Sequence, residues 1–154
     1  MPSIRLATAD DAAWLAPRLR QADKDELRAG SGSSPLEALM DGLRLSAPAF
    51  VGANDADRPV LMFGVAPLET MLGSVWMLSS DEIYRHKVTF LKRSKRVLDA
   101  FNKTWPVLCN VCDERNTDHI EWMRRLGYVF IARHPHYGKA GLPFLEFVRV
   151  NFRV

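Results

Sequence analysis

A mixed α/β sheet, mostly antiparallel and flanked by helices on both faces, is the fold class the sequence predicts, and three observations predict it. Short apolar runs bounded by turn clusters read as strands, four stretches carry helical spacing or helix caps, and the two kinds interleave along the chain. The predicted order is β-α-α-β-β-β-α-β-α-β-β. At 154 residues, 47% apolar and 25% charged, the chain is expected to form one domain spanning residues 1–154 with a proper core.

The first strand runs from Ser3 to Ala7. A turn capped by Thr8 or Asp10 opens a helix whose apolar stripe is Ala13, Trp14, Leu15 and Leu19, continuing polar until Gly30 and Gly32 break it. Ser34 is a good N-cap and Pro35 suits the first helical position, so a second helix runs to about Leu45. "APAFVGAND" and "PVLMFGVAPL", joined by the turn cluster "NDADRP", form an antiparallel hairpin, and "GSVWMLSS" adds a third strand.

His86 to Trp105 is the strongest helix, with Val88, Leu91, Leu98 and Phe101 on one face and Phe90 and Val97 beside them. Pro106 stops it, and "VLCNVC" reads as a buried strand. Thr117 or Asp118 caps a last helix through Leu126, which Gly127 ends in a left-handed turn. "YVFIARH" and "PFLEFVRVNF" close the sheet.

Composition narrows the function classes. The formal charge of +3 permits an anionic ligand without demanding nucleic acid. No apolar run approaches the roughly 20 residues of a membrane span, and the start "MPSIRLATADDAAW" lacks the pattern of a signal peptide. Cys109 and Cys112 fall three apart on a strand, where side chains point to opposite faces, so they read as structural thiols in a cytoplasmic protein with no metal site.

"NTDHIEWMRRLGYVF", with the element order and the start "SIRLATADDAAWL", resembles the GNAT-type N-acetyltransferase superfamily. Asn116, the helix through Leu126, Gly127 and Tyr128 occupy the positions of that family's last motif. "SVWMLSSDEIYRH", "KRSKRVLDAF" and "NVCDERNTDHIEWMRRLGYVF" more narrowly resemble the small GNAT-like proteins of short-tailed phages and prophages, which are associated with the virion or its morphogenesis. That resemblance implies phage structural proteins as partners and adds the virion interior as a location.

The superfamily resemblance implies acetyl-CoA as cofactor and an amine of unknown identity as acceptor. The pantetheine arm would lie on the strand at Trp76, Met77 and Leu78. The pyrophosphate would meet Arg85, His86 and Lys87 at the start of the long helix, with Asn116 nearby. Unpaired N–H groups at a helix start attract an anion, and glycines let the backbone come close. No glycine stands between Ser74 and Gly127, so that start is either a side-chain phosphate contact or a solvated basic end.

Transfer to an amine also requires a base and a group that serves the departing thiolate. Glu69, Asp81 and Glu82 flank the third hairpin strand, with Glu82 the candidate base. The family's thiolate-side tyrosine falls at Met123, which cannot donate a proton, leaving Tyr128 or Tyr137 as substitutes. His119 is expected to be half-exposed and able to titrate near neutrality.

With glycine loop and tyrosine both missing, the expectation is a GNAT-fold acyltransferase whose catalysis is weakened or lost. The alternative is a non-catalytic internal virion or assembly protein. Lys92, Arg93, Lys95 and Arg96 form a basic face on the long helix; lacking interleaved aromatics, it disfavours nucleic acid as partner.

Overall fold

The computed structural model describes residues 1–151. Seven strands form one sheet: β1 (Ser3–Leu6), β2 (Ala49–Ala53), β3 (Pro59–Glu69), β4 (Leu72–Ser79), β5 (Val107–Asp113), β6 (Val129–Tyr137) and β7 (Leu142–Val150). Their spatial order is β1-β2-β3-β4-β5-β7-β6, antiparallel throughout except for the β4–β5 pair. The helices are α1 (Ala9–Leu15), α2 (Gln21–Ala29), α3 (Pro35–Leu45), α4 (Lys87–Thr104) and α5 (Thr117–Arg125).

Two apolar layers sandwich the sheet. Ala12 and Leu15 of α1 and Leu39 of α3 pack on Val51, Met62 and Leu78. On the other face, Phe90, Leu98 and Phe101 of α4 and Ile120, Trp122 and Met123 of α5 pack on Leu61, Phe63, Val75 and Leu108. Because side chains alternate along a strand, β4 serves both layers, with Trp76 and Leu78 in the first and Val75 and Met77 in the second.

The predicted mixed sheet is present, with three local corrections. An extra helix, α2, replaces the expected polar continuation of α1, because Leu19 and Arg20 leave helical backbone and Leu19 bridges Ser80 at the end of β4. Ala13 and Val88 are exposed; the buried stripes are Ala12, Leu15, Ala16 and Leu19, and Phe90, Ser94, Leu98 and Phe101. The N-cap of α5 is Asn116 rather than Thr117 or Asp118, and its side chain turns away from the helix to partners described below.

Other boundaries fall where capping chemistry puts them. Thr8 caps α1 by accepting from the Asp11 N–H at 3.3 Å, while the Asp11 carboxylate accepts from the Thr8 N–H at 2.9 Å. Ser34 caps α3 by accepting from the Glu37 N–H at 3.2 Å. After α5 the chain reverses at Gly127, whose φ of 96° suits a residue without a Cβ.

Candidate functional site: a cleft where two strands part

β4 and β5 pair over only three residues, Leu72 to Ser74 against Val107 to Cys109, and then diverge. The gap opens into a cleft of about 270 Å³ that crosses the sheet. Its walls include Phe63, Val75, Trp76, Met77, Leu98, Met123 and Phe147, with Glu26, Ser94, His119 and Tyr128 as polar members. Glycine shapes one wall, since a Cβ at Gly42 would lie 2.5 Å from the Trp76 ring. The indole N–H of Trp76 donates to Ser46 Oγ at 2.7 Å, which fixes the ring.

The backbone edge that β4 turns toward the cleft belongs to Val75, Met77 and Ser79, two residues apart as a strand requires. Much of it is already engaged. The Val75 carbonyl accepts from Asn110 Nδ2 at 2.6 Å. The Ser79 carbonyl accepts from the Arg20 N–H at 2.8 Å, and the Ser79 N–H donates to Asp23 Oδ2 at 3.1 Å. The start of α2 thus lies along the end of β4 in the place a neighbouring strand would take.

A buried polar network locks that arrangement. Arg20 donates to Asp23 Oδ1 and to Asn116 Oδ1, both at 3.1 Å, and to the Tyr84 hydroxyl at 3.1 Å. Asn116 Nδ2 donates to Asp23 Oδ1 at 3.0 Å, and Tyr84 donates to Asp118 Oδ2 at 2.7 Å. Glu26 Oε1 accepts from the Asp113 N–H at 2.8 Å. Arg20, Asp23 and Asn116 are all buried, so the network ties α2 to β4, β5 and α5 across the open end of the cleft.

The titratable groups lining the cleft favour their uncharged forms. Burial, reinforced by Asp23 and Asp113, pushes the Glu26 carboxyl up to about 8 against the pull of its hydrogen bonds. Burial lowers His119 and raises the Tyr128 hydroxyl. His119 was expected to be half-exposed and to titrate near neutrality; it is buried, so desolvation keeps it neutral. Burial also pushes the Cys109 and Cys112 thiols up, so neither is a ready nucleophile.

Glu26 makes a pH prediction. A carboxyl raised from 4.5 to about 8 on folding binds more protons folded than unfolded across that window, so its contribution to stability falls as pH rises through it. Glu26→Gln should therefore gain stability over the unmodified chain between pH 5 and pH 8, measured as the difference of urea midpoints at each pH. A difference independent of pH would contradict a Glu26 carboxyl held protonated in the folded chain.

The structure brings Trp76, Met77, Leu78 and Tyr128 to the cleft. Met77 and His119 also line a smaller recess that leads past Ser79, Ile83 and Tyr84 to Lys87 at the start of α4. Asn116 sits in the buried network, while Arg85 is exposed and His86 half-buried at the N-cap of α4. Glu82 lies outside the cleft lining, accepting from Asn54 Nδ2 at 2.9 Å and standing 3.7 Å from His86 Nε2. Sequence reasoning missed Arg20, Asp23, Glu26 and Ser94; no motif marks them, and only the tertiary structure assembles them.

No family model and no curated protein matches the sequence. Solved structures do. A ribosomal-protein-alanine N-acetyltransferase from Brucella melitensis superposes with a TM-score of 0.73 at 17% identity, over 97% of this chain and 99% of that one. The chain has the GNAT fold. A GCN5-related N-acetyltransferase from Kribbella flavida gives 0.70 at 14% identity, over 97% of this chain and 98% of that one. AAC(6')-Ib, solved in complex with ribostamycin and coenzyme A, gives 0.65 at 12% identity, over 97% of this chain and 93% of that one.

The GNAT fold implies acetyl-CoA, and the residues present fit it poorly. A pantetheine arm laid on β4 would meet a cleft-side edge on which the Val75 carbonyl and both Ser79 backbone groups are engaged, with Met77 between them. The segment from Ser80 to His86 carries a side chain past Cα at every position, so no residue there offers the bare backbone approach that glycine gives. Met123 and Tyr128 line the cleft, and burial makes Tyr128 a weaker acid than a free phenol.

Proposed function

We propose that the chain is a single-domain GNAT-fold protein of acyl-CoA-dependent N-acetyltransferase type, cytoplasmic, in which acetyl transfer is weakened or lost. The observation that carries this reading is the engagement of both Ser79 backbone groups by the Arg20–Asp23 start of α2. Breaking those bonds to admit pantetheine would leave Asp23 Oδ2 and the Arg20 backbone N–H without the partners that Ser79 gives them, a cost of about 1–3 kcal/mol for each unmet group. Met123 at the thiolate-side position supports the same reading, since a thioether has no proton to give.

The test is titration of the full chain with acetyl-CoA by calorimetry, alongside release of free coenzyme A with a panel of primary amines. Working acyltransferases would saturate within the usual KM range of about 1 μM to 1 mM. The expected result is no saturable heat and no amine-dependent coenzyme A release across that range. Low-micromolar binding together with turnover of any amine would overturn the reading and make the chain an active enzyme, with Tyr128 as its proton donor and Glu82 replaced as base by a group in the cleft.

A second reading concerns biological setting: a non-catalytic internal virion or assembly protein of a phage or prophage, contacting phage structural proteins. It is favoured by the resemblance across Ser74 to Phe130 and by Lys92, Lys95 and Arg96, which are exposed on α4 and form no ion pair among the described residues. Co-purification of the chain with particles, lost on charge reversal of those three residues, would support it.

A further inference from the structure

A second concavity lies apart from the cleft, along α4. One wall is the helix face that carries Arg96, Val97, Ala100 and Thr104, spaced as neighbours on a helix surface. The other wall is Pro48 and Phe50 where the chain enters β2, with Trp105 beside them. The groove holds about 600 Å³, inside the roughly 300–1,000 Å³ of sites that take a whole ligand. It is open to solvent: Arg96, Ala100 and Thr104 are exposed, and Phe50, Val97 and Trp105 are half-buried.

The walls are fixed before anything binds. The Ala47 N–H donates to the Val65 carbonyl at 2.8 Å, and the Pro48 carbonyl accepts from the Val65 N–H at 3.3 Å. Phe50 stacks on Phe101 with ring centroids 6.0 Å apart, which makes the floor a packed layer of rings. Ala100 and Thr104 are short side chains and leave the space above it open.

Charge narrows what can enter. Arg93, Arg96 and Lys103 follow one another at spacings of three and seven, so they share the α4 face that bears Ala100. None of the three has an ion-pair partner among the described residues. Asp99, the only acid on α4, is committed to Arg149 at 2.6 Å. An apolar floor beneath an unpaired cationic rim fits a segment that brings both apolar side chains and carboxylates. Stacked bases fit less well, because Phe50 and Phe101 face each other and Phe63 leans on both.

We propose that this groove docks an acidic peptide segment of a partner protein. One or two large apolar side chains lie between Ala100 and Phe50, and flanking carboxylates meet Arg93, Arg96 and Lys103. The site is separate from the β4–β5 cleft and depends neither on acetyl transfer nor on a phage setting.

The test titrates the full chain at low salt with the fluorescein-labelled peptide DEDEFLDEDE, following anisotropy and amide chemical shifts. One saturable site is expected, with shifts confined to α4 and the start of β2. Replacing Phe-Leu of the peptide by Ser-Ser should weaken binding about ten-fold or more, through loss of apolar burial. Arg96→Glu should weaken it about five-fold, and Ala100→Trp, which fills the groove from an exposed position, should abolish it. Urea midpoints matching the unmodified chain check that both variants fold, and the peptide series requires no variant. The proposal is overturned by absence of saturable binding, by equal affinity for the Ser-Ser peptide, or by binding that neither substitution changes. Tighter binding of single-stranded oligothymidylate than of the peptide would overturn it in favour of nucleic acid. Sedimentation of the free chain as a dimer that Ala100→Trp dissociates would overturn it in favour of a second copy.

Discussion

Asp23→Ala is expected to lower the free energy of unfolding by about 3–5 kcal/mol, because it leaves the buried Arg20 guanidinium without its counter-charge. Asp23 is 1% exposed and accepts from Arg20, Asn116 and the Ser79 N–H, so one truncation strips three donors of their acceptor. Chemical denaturation with urea measures the loss. The double variant Arg20→Met with Asp23→Leu should recover part of it, since removing both charges removes the unpaired one. A loss under 1 kcal/mol for Asp23→Ala would mean that water reaches Arg20 and that the network is no barrier at the cleft's open end.

Phe90→Ala is expected to cost a similar amount, about 3–5 kcal/mol, by opening a cavity in the larger core layer. The Phe90 side chain is fully buried, stands edge-on to His86 with centroids 5.9 Å apart, and reaches the sheet over Gly52. A Cβ at Gly52 would lie 2.8 Å from its ring, so strand and helix are fitted to each other at that point. Val88→Ala, two residues earlier on the same helix, should change stability by less than about 0.5 kcal/mol because Val88 is 67% exposed. Equal effects at the two positions would contradict the orientation of α4.

That pair of positions shows what the sequence makes legible and what it does not. Helical periodicity locates α4 and its apolar side, yet on a helix so rich in apolar residues the stripe can be rotated by a residue or two. Val88 then looks as buried as Phe90, and Ser94, which is buried, looks like part of the polar face. Features fixed by neighbours in the chain are legible: the turn cluster after Ala53, Pro35 at a helix start and Gly127 after α5 all stand where local stereochemistry puts them.

α2 and the cleft obey different physics. α2 buries Asp23 and Ala29 rather than an apolar stripe, so no hydrophobic period marks it. Its polar side chains are held by Asn116 and Ser79, which are 93 and 56 residues away from Asp23 in sequence. His119 reads as a half-exposed helix residue for the same reason: what covers it comes from distant elements. The splayed strands are likewise invisible in "GSVWMLSS" and "VLCNVC", since each run is apolar enough to pair along its whole length. The pairing stops where the Asn110 side chain takes the Val75 carbonyl and the Val111 N–H, and Arg20 then occupies the edge at Ser79.

Amide hydrogen exchange at Ser79 tests the central claim most directly. With its N–H on the buried Asp23 carboxylate, Ser79 should exchange as slowly as the inner amides of β3, and adding acetyl-CoA should leave that rate unchanged. Rapid exchange at Ser79 in the free chain, slowed when acetyl-CoA is added, would show that this edge of β4 stands open for a cofactor.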